Sequence, residues 1–167
     1  MRFIILLFSL MLFTSNSAIA AQKQLNPLEI QLMSFNNGLH VGEPKQAVEL
    51  WILGVKNRSG AVQYAMLSPS LQKQSKKKFE ETHWVTGGSS PWVSNFRLTK
   101  VEKLNESRMR YTVKYDLKAS YANFGSWQKI ITVEKNIEPF REYWFISSIT
   151  TKYNQWEAFT PAETVLK

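Results

Sequence analysis

The chain has 167 residues, 44% of them apolar, with 6 Trp, 6 Tyr and 10 Phe, which is ample for one packed core of ordinary domain size. It carries 21 basic against 13 acidic residues, a formal charge of +8, and no cysteine. The missing cysteine excludes disulfides, thiol catalysis and thiolate metal sites. The charge favours anionic partners and says nothing about fold.

Met1-Arg2 is a short positive start, and Phe3 to Phe13 is an apolar run broken only by Ser9. Ala18-Ile19-Ala20 then offers small residues at the two positions a signal peptidase reads. This pattern reads as a secretory signal peptide cleaved after Ala20. The run is shorter than the roughly 20 residues a bilayer core needs. The expected location is therefore secreted or periplasmic. There a basic protein is expected to meet anionic cell-envelope polymer, and nucleic acid is disfavoured.

Residues 21–42 hold Pro27, Asn36-Asn37-Gly38 and Gly42 and read as an irregular lead-in. Glu43-Pro44 opens a helix, since proline in the first turn loses no hydrogen bond and Glu43 suits the positive end of the dipole. Ala47, Leu50, Trp51, Gly54 and Val55 form its apolar stripe, on which Gly54 leaves room for close packing. Gly60 is expected to close this piece in the left-handed conformation. Ala61, Val62, Ala65 and Met66 restart a stripe. Ser68 caps the next piece, with Pro69 at its first position. Leu71 to Glu81, rich in Lys73, Lys76, Lys77 and Lys78, reads as a solvated helix or loop with Leu71 and Phe79 as its contacts.

After Glu81 the period changes. Thr82–Val93 (THWVTGGSSPWV) is a hinge with two tryptophans. Four strand-like runs follow, over about 95–104, 108–120, 126–136 and 141–152. In the second, Met109, Tyr111, Val113, Tyr115, Leu117 and Ala119 alternate with polar residues, giving one buried and one wet face. Asn105-Glu106-Ser107, Asn123-Phe124-Gly125 and Glu138-Pro139 punctuate the hairpins. Helices followed by a short-looped meander predict an α+β domain: a broken N-terminal helix packed on a curved four-strand antiparallel sheet. The chain divides into 1–20 (signal), 21–42 (lead-in), 43–153 (α+β roll) and 154–167 (tail).

AVELWILGVKNRSGAVQYAMLS (Ala47–Ser68), with SSPWVSNFRL (Ser89–Leu98) and YWFISSIT (Tyr143–Thr150), resembles the cystatin-like roll of the nuclear-transport-factor-two-like superfamily. The nearest likeness is to its small secreted bacterial members. The resemblance implies a cone-shaped sheet plugged by Trp51, with Arg58 near the mouth. Its catalytic members, isomerases and polyketide cyclases, use an Asp or an Asp–His pair inside the cone.

This chain has one aspartate, Asp116, and two histidines, His40 and His83. Asp116 alternates with Tyr115 and Leu117, so it is expected to face outward between Lys114 and Lys118, without the raised pKa of a general base. His83, beside Trp84, is the remaining catalytic candidate, the centre of an alternative reading as a small isomerase-type enzyme. Ser89 or Ser90 lacks a nucleophile elbow. Two distant histidines and no cysteine give no metal site, and no cofactor is called for. The aromatics are the richest feature. Trp51, Arg58, Trp84, Trp92, Tyr115 and Trp127 are the expected ligand-binding residues. Both faces of the last strand are apolar, with Tyr143 and Phe145 on one and Trp144 and Ile146 on the other. Trp144 and Ile146 are accordingly the expected interface of a homodimer through the outer sheet face. The sequence as a whole reads as an exported, non-catalytic binding or accessory domain, holding a small apolar ligand or a protein partner.

Overall fold

The computed structural model describes residues 38, 41–88, 90–138, 141–151 and 160–163. Residues 1–20, read from the sequence as a signal peptide, most of the lead-in, His40, Ser89 and most of the 154–167 tail lie outside the described residues. Three helices come first, α1 (Pro44–Lys56), α2 (Gly60–Ala65) and α3 (Pro69–Glu81). Four strands follow, β1 (Trp92–Asn105), β2 (Arg108–Ala119), β3 (Ala122–Glu138) and β4 (Arg141–Thr151). The strands pair antiparallel in chain order β1-β2-β3-β4, leaving an open sheet with the helices packed against it. The architecture is α+β, as expected from the sequence. No helix among the described residues is long and apolar enough to cross a membrane.

α1 starts at Pro44 behind Glu43 and buries Ala47, Val48, Trp51, Ile52, Gly54 and Val55 along one stripe. Trp51 is fully buried at the centre of the core; truncating such a residue costs about 3–5 kcal/mol. Gly54 is where α2 comes closest: a Cβ there would stand 2.9 Å from Gln63 Cγ and 3.2 Å from Val62 Cβ.

The break after α1 differs from the sequence expectation. Arg58, at φ 54°, takes the left-handed conformation, while Gly60 is the first residue of α2. Gly60 is required for space. Its N–H donates to Trp84 O at 2.8 Å, and a Cβ on it would meet that same oxygen at 2.8 Å and Phe79 Cδ1 at 2.9 Å. Thr86 N–H returns the bond to Arg58 O at 3.1 Å, and Ser59 bridges Val85 antiparallel. The helix is interrupted because its break pairs, strand-like, with the hinge.

Ser59 caps α2 through Val62 N–H, and Ser68 caps α3 through Leu71 N–H at 3.2 Å. α3 is a full helix that buries Leu71, Ser75 and Phe79. The Ser75 hydroxyl donates to Leu71 O at 2.5 Å, which satisfies a polar group inside the core. Its lysines are solvated, with Lys76 and Lys77 paired one turn on with Glu80 and Glu81 at 2.9 and 3.9 Å.

On the sheet, Tyr111, Val113, Tyr115, Leu117 and Ala119 of β2 are buried along one face, and Tyr111 and Val113 join the core cluster with the helices. Register shifts in β1–β2, at Asp116/Lys118 and at Thr132/Val133 bend the sheet. The edge of β4 is covered: Trp144 N–H donates to Val41 O at 2.9 Å, Ile146 N–H to Met66 O at 2.7 Å, and Ser68 N–H to Ile146 O at 2.8 Å. The opposite edge, β1, carries Arg97, Lys100 and Lys103, charges that discourage edge-to-edge pairing. The packed unit extends past residues 43–153 at both ends, since Val41 and Ala162 both belong to the core cluster.

A Gly60→Ala substitution is expected to destabilise the fold by about 1–3 kcal/mol, the usual cost of overpacking. Urea unfolding measures this; a change below about 0.5 kcal/mol, the scatter of ordinary surface substitutions, would contradict the close approach.

Candidate functional site

A cleft of about 400 Å³ opens where the end of α1, the helix break and the hinge meet β1 and β2. Val55 and Lys56 come from α1, Arg58 from the break, Thr86, Gly87, Gly88, Ser90 and Pro91 from the hinge, and Trp92, Val93 and Leu117 from the strands. The fold builds this cleft directly: the ribbon between 58–60 and 84–86 holds the hinge beside the end of α1.

The cleft has two halves. Val55, Val93, Leu117, Pro91 and Trp92 make an apolar wall, and Trp92 is still 37% exposed. Lys56 and Arg58 make the other side, and among the described residues no carboxylate lines the cleft. Among the described residues neither cation is ion-paired; Lys56 Nζ lies 5.8 Å over the Phe96 ring. Thr86, 4% exposed, accepts a hydrogen bond from Gln63 Nε2 at 2.6 Å, which leaves its hydroxyl proton to donate elsewhere. Gly87, at φ +73°, and Gly88 keep side chains off the cleft wall, with open space around the Gly87 Cα. Charged and neutral donors therefore outnumber acceptors, an arrangement that suits an anion beside an apolar group.

The structure brings Arg58 and Trp92 of the expected ligand residues to this cleft and disperses the others. Trp51 is sealed in the core. Trp84 stacks on Phe79 at 5.7 Å and meets Tyr64 edge-on at 5.2 Å, on the helical side. Tyr115 is buried beside Phe96, with ring centroids 5.8 Å apart. Trp127, opposite Tyr115 in the ladder, donates its indole N–H to Phe124 O at 2.9 Å. Trp144 and Ile146 face inward into the core cluster, beneath Val41 and the α2–α3 joint, so they are not a subunit surface. Tyr143 and Phe145 hold the other face of β4.

His83 is exposed, at φ 51° in the turn that ends α3, and lines neither this cleft nor the shallow groove on the outer sheet face. A base there would not reach a substrate in the cleft. Asp116 is on the outer face, as its parity requires. It accepts from Ser126 Oγ at 2.6 Å, Asn95 Nδ2 at 2.7 Å and Arg97 Nη2 at 3.3 Å. The Ser126 and Asn95 bonds, helped by the Arg97 and Lys118 charges, hold its carboxyl below the usual range. A carboxylate stabilised in its charged form is a poor general base. No group of metal-ligating side chains occurs among the described residues.

Sequence reasoning missed Lys56, Thr86 and the Gly87-Gly88 pair. The Gly-Gly step inside the hinge is the available signal; a lysine in the last turn of a helix carries none, because cations are common there for the dipole. No protein-family model matches the chain, and neither does any curated protein or solved structure.

The depressed Asp116 pKa contributes stability above the carboxyl's unfolded value near about 4 and loses it as pH falls through the folded value. Asp116→Asn should therefore lower the Tm at pH 7, and the gap to wild type should close on acidification. A gap that stays constant from pH 7 to pH 2 would contradict this assignment.

Proposed function

We propose that this protein is a non-catalytic binding or accessory domain, exported to the cell envelope or beyond, which holds a small amphiphilic anion or the anionic group of a partner in the α1–hinge cleft. The nuclear-transport-factor-two-like roll remains the fold family that this reading assumes. One observation carries the proposal: the cleft sets two cations, with no carboxylate among the described lining residues, beside an apolar wall ending in an accessible tryptophan. Trp51 fills the interior that an apolar ligand would otherwise enter, so the ligand belongs at the mouth. The paired carboxylates of α3 neutralise part of its lysine run, which makes that helix a weaker anion surface than the cleft.

The test uses octyl phosphate against octyl glucoside, each below its micelle concentration, followed by tryptophan fluorescence on the full chain. Octyl phosphate should bind at least tenfold more tightly. Lys56→Gln and Arg58→Gln should each weaken it by about tenfold, the worth of one charge-assisted contact, and raised salt should erode the preference. Equal binding of the two amphiphiles, or wild-type affinity in both variants, would refute the anionic cleft.

A further inference from the structure

Among the described residues the cleft leaves a buried charge pair unused, Lys129 and Glu163. Lys129, on β3, shares its face with Ile131 and Val133, and all three are fully buried. Lysine is almost never fully buried without a partner, because an ammonium in an apolar interior costs several kcal/mol. The sheet surrounds this one with fitting groups. The Tyr115 ring of β2 lies 5.5 Å from Nζ, and the Thr151 hydroxyl of β4 accepts from it at 2.8 Å.

The acid comes from elsewhere in the chain. Glu163 sits in the short turn 160–163, against the sheet, and Lys129 donates to its Oε1. Thr151 Oγ1 donates to the same oxygen at 3.2 Å, and Thr160 N–H holds Oε2 at 3.0 Å. Among the described residues the cation, the hydroxyl donor and the aromatic wall thus belong to the sheet, whereas the carboxylate and the Thr160 N–H that holds it belong to the C-terminal turn. Stability alone does not account for such a pair, since well-packed apolar residues usually match or exceed a buried ion pair.

We propose that the Lys129–Thr151–Tyr115 pocket is a second binding site, for carboxylates, and that Glu163 is its built-in occupant. A carboxylic acid, free or on a partner, would enter by displacing Glu163 and releasing the 160–163 turn. The proposal is independent of the α1–hinge cleft and would stand if that cleft bound nothing.

Glu163→Ala deletes a fragment the size of acetate, so acetate is the probe. In the full chain carrying Glu163→Ala, acetate should raise the Tm saturably, by roughly 3–6 °C at a tenfold excess over its dissociation constant. Sodium chloride at equal ionic strength should not. The rise should vanish in Glu163→Ala combined with Lys129→Met. It should also be absent in wild type at the same concentration, where the tethered carboxylate competes at an effective concentration of millimolar or more. If Glu163→Ala is unfolded in plain buffer, far-UV circular dichroism during the same titrations replaces the Tm, and acetate but not chloride should restore the fold. Equal effects of acetate and chloride, or a rise that survives Lys129→Met, would overturn the proposal.

Discussion

Two backbone hydrogen bonds organise the helical half of this protein. Gly60 N–H to Trp84 O and Thr86 N–H to Arg58 O tie the break after α1 to the chain that leaves α3. Without that clamp, α2 would have no reason to depart from the axis of α1, and the hinge would have no fixed path to β1. Gly60 makes the clamp possible by offering no side chain to Trp84 and Phe79. Gln63 reinforces it from inside, with its amide donating to Thr86 Oγ1 at 2.6 Å while its Oε1 finds no hydrogen-bond partner among the described residues. A half-satisfied buried amide is costly.

The cleft follows from the clamp. Pairing 58–60 with 84–86 sets Arg58 and Lys56 beside Gly87, Gly88, Pro91 and Trp92. The left-handed Arg58 turns the chain at the end of α1, where cations also complement the helix dipole. A single local device thus ends a helix, starts the next and furnishes a cationic rim. The far side of the domain is settled separately. Val41 and the Met66–Ser68 joint cover the β4 edge, and the 160–163 turn closes over Lys129. Val41 and the 160–163 turn are thereby both drawn onto the sheet's last two strands.

Much of this was legible in the sequence, where the information is local. The stripe of α1, the Ser68-Pro69 start of α3, the alternation of β2 and the hairpin turns all depend on neighbours within a few residues. Gly54 was legible too, because a glycine on a buried stripe means close approach. Gly60 was legible as a break, but its cause was not, because that cause is Trp84, far along the chain. Trp144 and Ile146 were correctly placed on one face together. Parity could not say which face was core, because Tyr143 and Phe145 make the other side equally apolar. Lys129 could have been found by parity with Ile131 and Val133. Its partner Glu163 could not, since nothing in a short C-terminal segment announces that it packs against a strand. Aromatic residues were the poorest guide to the site. Among the described residues Trp51, Phe79, Tyr111, Tyr115 and Trp144 fill the interior, and Trp92 alone of the aromatics lines the cleft.

The central claim is that the helix break is clamped to the hinge in the native state. Native-state hydrogen exchange at the amides of Gly60 and Thr86 tests it most directly. The account predicts that both are protected to the level of the core amides of α1, such as that of Trp51, and open with them as one unit. Exchange at both sites at the rate of an open loop, while Trp51 stays protected, would contradict it.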